Sequence, residues 1–355
     1  MRAMTSNQSL HMNQGDEEAS YARNSTIQHG EQDRMKPMIE VAVTGLLKST
    51  NVPRNVVIAD LGCSSGPNAL ALVSTAVDAI FHHYVQHDQA PPEVRVLLND
   101  LPDNDFNSVA KSLVVFQQSI QTSGTVLTGI VPGSFYTRLF TSSSVDLVVS
   151  SSSLQWLSEA PEDLKRNRIT LYDNDEDIRR ELRPLVVEAY RRQFRKDFTL
   201  FLKLRAQELV PGGRMVISLL GSSSDQYAPA WDIITCPLND MASRGLISRE
   251  RFDCFYIPLH TPSEKELREI IEDEGSLQIS QMQVHEMDKG SRIPKVMAHA
   301  MRAIFEPMIV QHFALPAELM DDFVKTLEQH LMTPGSPPHA ALGDRVCVCV
   351  SLTKF

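Results

Sequence analysis

The stretch Val56-Val57-Ile58-Ala59-Asp60-Leu61-Gly62-Cys63-Ser64-Ser65-Gly66-Pro67-Asn68 limits the possible folds more than any other part of this chain. Val56 to Ala59 is a short apolar, largely β-branched run, the composition of a strand buried on both faces, and Asp60 stands at its C-terminal end. Gly62 and Gly66 permit backbone conformations and close approaches that a Cβ would block, after which Asn68-Ala-Leu-Ala-Leu-Val resumes helical spacing. Strand, tight turn and helix in this order predict an open α/β sheet, whose ligand crevice lies at the carboxyl ends of its strands. No Lys-Ser or Lys-Thr follows the second glycine, so the turn is not a phosphate-cradling loop. The three-glycine dinucleotide pattern is incomplete too.

A second apolar run, Val94-Arg95-Val96-Leu97-Leu98, ends in Asn99-Asp100. A carboxylate at that place can accept both hydroxyls of a ribose, so the pair of strand ends reads as a nucleoside site without provision for a pyrophosphate. Val145 to Val149 forms a further buried strand that runs into Ser150-Ser-Ser-Ser-Leu-Gln155-Trp156. Trp156 offers a flat apolar face with an N–H donor and Gln155 an amide, which together suit a planar acid with a polar rim.

The remaining chain supplies the frame. A helix is expected over 37–47, an amphipathic helix over 109–121, a loop from Gly129 through Pro132-Gly133-Ser134-Phe135-Tyr136, an irregular charged stretch over 161–176 and a long helix over 179–208. Pro211-Gly-Gly-Arg214 then turns into the strand Met215 to Leu220. Helices over 228–246, 263–272, 292–311 and 316–331 precede a last strand over 345–352. The fold class is therefore α/β, a Rossmann-like sheet with an α-helical cap domain. The expected division is a disordered segment 1–15, a cofactor-binding core 16–220, a mainly helical cap 221–340 and a returning core strand 341–355.

A formal net charge of −10 disfavours a nucleic-acid surface. Five cysteines without metal-type pairing suit a reduced compartment, and the polar N-terminus lacks the apolar core of a signal peptide. A soluble cytoplasmic protein is expected. The eleven histidines form no HExxH, but Gly62-Cys-Ser64-Ser-Gly66 does satisfy the Gly-x-Ser-x-Gly string of serine hydrolases.

Taken together, Ser20-Tyr-Ala-Arg-Asn-Ser-Thr-Ile-Gln28, Ala59-Asp-Leu-Gly-Cys-Ser-Ser-Gly-Pro-Asn68, Leu98-Asn-Asp-Leu-Pro-Asp-Asn-Asp-Phe-Asn107, Pro132-Gly-Ser-Phe-Tyr136, Ser153-Leu-Gln-Trp-Leu-Ser-Glu-Ala-Pro161 and Val210-Pro-Gly-Gly-Arg-Met-Val216 resemble the plant SABATH methyltransferases. These S-adenosylmethionine-dependent enzymes act on salicylate, benzoate, anthranilate, jasmonate, indole acetate and xanthine alkaloids. The resemblance covers residues 15–352, nearly the whole chain, and implies a homodimer. It assigns Tyr21, Ser25, Asp60, Cys63, Asn68, Asp100, Leu101, Ser134 and Phe135 to S-adenosylmethionine, and Gln28 and Trp156 to the substrate carboxylate. Ser152 and Gln155 fall where substrate specificity varies, and Trp231, Met301 and Ile304 match the cap side of the pocket. The salicylate enzymes usually carry Tyr where this chain has Ser152, and Met or His where it has Gln155. Gln-Trp followed by Ser-Glu-Ala-Pro looks most like grass enzymes that methylate anthranilate and related benzoic acids, while four serines also occur in the jasmonate branch. Some members bind magnesium; Asp253 and Phe255 fit that pattern and Asn167 is a further candidate, but Tyr256 replaces the usual Asn.

Several readings besides a carboxyl methyltransferase remain open from sequence. They are a serine hydrolase at Ser64, a nicotinamide-dependent oxidoreductase, an N-methyltransferase of the same family, and a silent acid-binding homologue.

Overall fold

The computed structural model describes residues 11–15, 17–49, 55–120, 124–223, 229–287 and 292–355. Residues 1–10 of the segment expected to be disordered, and residues 121 and 228, each at the end of an expected helix, lie outside them. A short helix α1 (Tyr21–Asn24) and a long helix α2 (Thr26–Ser49) lead into β1 (Asn55–Leu61), α3 (Ala71–Gln86), β2 (Glu93–Asp100), α4 (Phe106–Ile120) and β3 (Val126–Pro132). Next come β4 (Val145–Ser151), α5 (Glu162–Asn167), α6 (Glu176–Glu208), β5 (Leu209–Ser222), α7 (Asp232–Ser243), α8 (Arg249–Asp253) and α9 (Glu264–Glu274). The chain closes with β6 (Leu277–Glu286), α10 (Pro294–Phe313), α11 (Leu319–Met332), α12 (Pro337–Gly343) and β7 (Arg345–Lys354).

The seven strands form one sheet in the order β3-β2-β1-β4-β5-β7-β6. The first five are parallel, and β7 runs antiparallel between β5 and β6. Alternation along β1 shows how the apolar run fills both layers: Val56 and Ile58 pack with α2 and α3, whereas Ala59 and Leu61 face the core built around α6, α7 and α10. Strand order reverses between β1 and β4, so their carboxyl ends diverge and leave a crevice. The Rossmann-like sheet with additional helices is as the sequence predicted.

Several elements differ from expectation, among them α5 within the stretch 161–176 read as irregular, the Pro211–Arg214 turn, which lies inside β5, and the unexpected α12. The stretch around Gly129, read as loop, belongs to edge strand β3, paired with β2 from Val126 to Pro132. Strand β6 was not anticipated within the mainly helical segment; its alternating Ile279, Met282 and Val284 among glutamines make a half-exposed edge strand. Helix α2 begins eleven residues before Pro37 rather than at it. That proline removes one N–H bond, and burial of Met35, Met38, Ile39, Ala42, Val43 and Leu46 on either side carries the helix through.

Candidate functional site

A cavity of about 1340 Å³ opens at the carboxyl ends of β1, β2 and β4. Its wall includes Tyr21, Gln28, Gly62, Cys63, Asn68 and Asp100. Leu101, Ser134, Phe135, Ser152, Trp156 and Asp253 also face it.

The turn after β1 is shaped by two backbone demands. Gly62 has φ +77°, and a Cβ there would sit 2.3 Å from the Ser153 Oγ. At Gly66 (φ +95°) a Cβ would meet that of Ala22 at 2.9 Å. Ser64 and Ser152 hold the same left-handed region, at φ 54° and 51°, without being glycine. Such strain concentrates where surrounding contacts over-determine the backbone, as at ligand sites.

Asp100 joins this turn to β2. Its Oδ2 accepts from the Ser64 N–H at 2.6 Å and its Oδ1 from the Leu101 N–H at 2.7 Å. A carboxylate has about four acceptor positions, so two remain, the number that a vicinal diol needs. Asp60 lies close by, 3% exposed, with its carboxyl pushed up to about 8 first by burial and then by the Asp100 charge. Burial also raises Asp100, against the pull of its two N–H donors. The Cys63 thiol is raised well above its ordinary value, mainly by burial and then by Asp100 and Asp60. It is no thiolate nucleophile. Burial and the Asp100 charge likewise keep the Tyr21 hydroxyl neutral.

Asn68 fastens α2 to the turn: its Nδ2 donates to the Ser25 carbonyl at 3.0 Å and to the Ser25 Oγ at 2.9 Å. Ser25 is thus a support behind the wall rather than part of it. Gln28, one turn further along α2, has its Oε1 buried without a protein partner. Four residues on, Gln32 also faces the cavity, donates to the Asn68 carbonyl at 3.2 Å and has a buried Oε1 without a partner. The i, i+4 spacing of Gln28 and Gln32 was the available signal for it. Asn104, also unforeseen, donates to the Ser64 carbonyl at 2.9 Å and lines the cavity.

Residues 11–15 contribute as well. His11 and Met12 lie on the wall, the Asn13 N–H donates to the Ala303 carbonyl at 2.9 Å, and Gln14 donates to the Asp103 carbonyl at 2.8 Å.

Other candidates are placed elsewhere. Gln155 is buried and donates its amide N–H to the Ser152 carbonyl at 2.7 Å, so it shapes the strand end instead of facing the cavity. Trp231 packs on Tyr190 at 4.5 Å between ring centroids and is buried away from this wall. Met301 and Ile304 pack against the core; α10 reaches Trp156 instead through Phe305, at 5.4 Å. Of the magnesium candidates Asp253 faces the cavity, and so does Tyr256, the residue in place of the usual Asn. Asn167 ends α5, Phe255 packs on His312 and Phe313, and the Tyr256 hydroxyl donates to the Ile169 carbonyl at 3.0 Å. Among the described residues no three His, Cys, Asp or Glu side chains converge to hold a metal ion.

Ser64 is not built as a hydrolase nucleophile. Its N–H and carbonyl are engaged by Asp100 and Asn104, and among the described residues no hydrogen bond links it to a histidine. No helix of the described residues is long and apolar enough to cross a membrane.

Comparison with known proteins bears on what this cavity holds. A family described as SAM dependent carboxyl methyltransferase matches residues 7–354. A benzoic acid/salicylic acid carboxyl methyltransferase of Petunia hybrida is 38% identical, with 98% of each chain covered. Jasmonate O-methyltransferase of Arabidopsis thaliana is 36% identical, with 93% of this chain and 96% of that one covered. Among solved structures, loganic acid methyltransferase with SAH superposes with a TM-score of 0.81 at 28% identity, covering 97% of this chain and 98% of the other.

Proposed function

Because the chain belongs to the S-adenosylmethionine-dependent carboxyl methyltransferases, enzymes that form methyl esters of small acids, we propose that it esterifies a small aromatic acid, with anthranilate, salicylate and benzoate favoured. The observation that carries this reading is that Gln28 and Trp156, whose side-chain amide and indole N–H groups are donors a carboxylate can accept, face the same cavity. Ser152, small and on the wall, leaves room for a substituted ring.

S-adenosylmethionine supplies a methyl group on a sulfonium, open to in-line displacement. On this reading Asp100 accepts the ribose hydroxyls, Asn68 and Ser25 hold α2 against the turn, and Tyr21, Leu101, Ser134 and Phe135 enclose the nucleoside. Asp60 stays protonated beside Asp100, which limits charge repulsion between the two carboxyl groups. A carboxylic acid with a pKa of about 4 is already ionised at neutral pH, so no general base is needed. Gln28 and Trp156 donate to the carboxylate and fix its line of approach, and alignment with exclusion of water supplies the acceleration. No step runs through a metal ion. The reading carries the family's homodimer and a cytoplasmic location with it.

Specificity constants across anthranilate, salicylate, benzoate, jasmonate and indole acetate test the proposal. Highest values for the benzoic acids support it, and preference for jasmonate assigns the chain to that branch.

A further inference from the structure

We propose that Tyr136 is a positioning residue whose hydroxyl, by donating to the Trp156 carbonyl, sets the holder of the substrate carboxylate relative to the cofactor loop. This rests on the reading of Trp156 given above. The bond is 2.6 Å long and spans twenty residues of chain. Tyr136 follows directly on Ser134 and Phe135, and its own N–H donates to the Ser134 Oγ at 3.2 Å. One side chain therefore belongs to the loop that faces the nucleoside and reaches the backbone that carries the indole.

Helix α6 fixes both ends of that bond. Arg205, fully buried, donates to the carbonyls of Phe135 at 2.8 Å and Thr137 at 2.9 Å, the residues on either side of Tyr136. Glu208 pairs with Arg205 and accepts from the Leu139 N–H at 2.8 Å. Two turns before Arg205, Asp197 accepts from the Ser158 N–H at 2.9 Å and its hydroxyl at 2.8 Å, two residues beyond Trp156. The hydroxyl stays a donor, because burial foremost and the Asp197 charge next raise Tyr136 well above its ordinary value. Trp156 is further held by its backbone N–H to the Ser153 carbonyl at 3.1 Å and by the Phe305 ring. With the cofactor loop and the carboxylate loop tied to one helix and to each other, attacking oxygen and methyl carbon share a frame of reference. In-line transfer is sensitive to misplacement of about 1 Å, which can cost about a hundredfold in rate.

The test is a double-mutant cycle on Tyr136→Phe and Trp156→Phe, reading kcat and KM for the preferred acid, cofactor Kd and Tm. Tyr136→Phe removes one oxygen and keeps the ring. The expected result is a fall of about ten- to a hundredfold in kcat/KM for the acid, with cofactor Kd within about twofold. In the double variant, removal of the hydroxyl should cost almost nothing beyond Trp156→Phe alone. A cofactor Kd that weakens in step with kcat/KM, additive losses, or an unchanged Tyr136→Phe enzyme each overturns the proposal. If Trp156→Phe itself is fully active, the carboxylate role of Trp156 fails and the positioning role with it. If Trp156→Phe is impaired while Tyr136→Phe is not, only the positioning role fails.

Discussion

Replacement of Asp100 by asparagine probes the cofactor half of the site. The carboxylate spends one acceptor position of each oxygen on the N–H groups of Ser64 and Leu101, leaving one on each for a ribose hydroxyl. Asparagine keeps one oxygen and turns an NH2 toward the other N–H, so one backbone donor and one hydroxyl lose their acceptor. Hydrogen bonds to a charged group contribute about 1.5–3 kcal/mol each. Loss of one and weakening of the other amount to about 3 kcal/mol, or a Kd for S-adenosylmethionine raised by about a hundredfold. Isothermal titration of parent and variant measures this directly. The variant should keep most of its Tm, because removing the Asp100 charge also relieves the neighbouring Asp60. A Kd within threefold of the parent, with the fold intact by circular dichroism, would refute the ribose role.

The remaining predictions concern three other positions. Asp60 in the fold binds a proton that the unfolded chain has released above about pH 4. Its carboxyl, raised to about 8, thus lowers stability progressively from about pH 4 to 8 and no further above; Asp60→Asn should gain Tm over the parent across that window and hold the gain beyond it, and a pH-independent difference contradicts this. Gly62→Ala meets Ser153 and a left-handed backbone, so denaturant unfolding should show a loss of about 2–5 kcal/mol. An unchanged midpoint would mean that the turn rearranges freely. Gln28→Ala should lower kcat/KM for the acid at least tenfold while cofactor Kd stays within about twofold; equal kinetics to the parent would remove Gln28 from the site.

The cavity wall at the ends of β1 and β2 was legible because its geometry is written in local sequence. The β-branched run, the glycines at 62 and 66 and the strand-ending Asp60 and Asp100 each act within a few residues of chain. The substrate half depends on where side chains point. Gln155 reads as a cavity donor, yet its amide turns back on Ser152 three residues away, and Trp231 finds a stacking partner in Tyr190 before it can reach the wall. Strand β6 was hidden because half-exposed edge strands carry polar residues at alternate positions, and Gln281 and Gln283 weaken the apolar signal. The start of α2 was hidden by Pro37, whose local cost is outweighed by burial that only the packed sheet supplies. Nothing in the sequence indicates that the Tyr136 hydroxyl meets the carbonyl of Trp156.

The central claim is transfer to oxygen of a carboxylate, and anthranilate tests it within one molecule because it carries both a carboxylate and an amine. Incubated with the enzyme and methyl-labelled S-adenosylmethionine, alongside salicylate and jasmonate, it should yield a volatile product whose label dilute alkali releases as methanol. Label that survives alkali as an N-methyl group, or no transfer to any of the three acids by enzyme that binds the cofactor, would contradict the account.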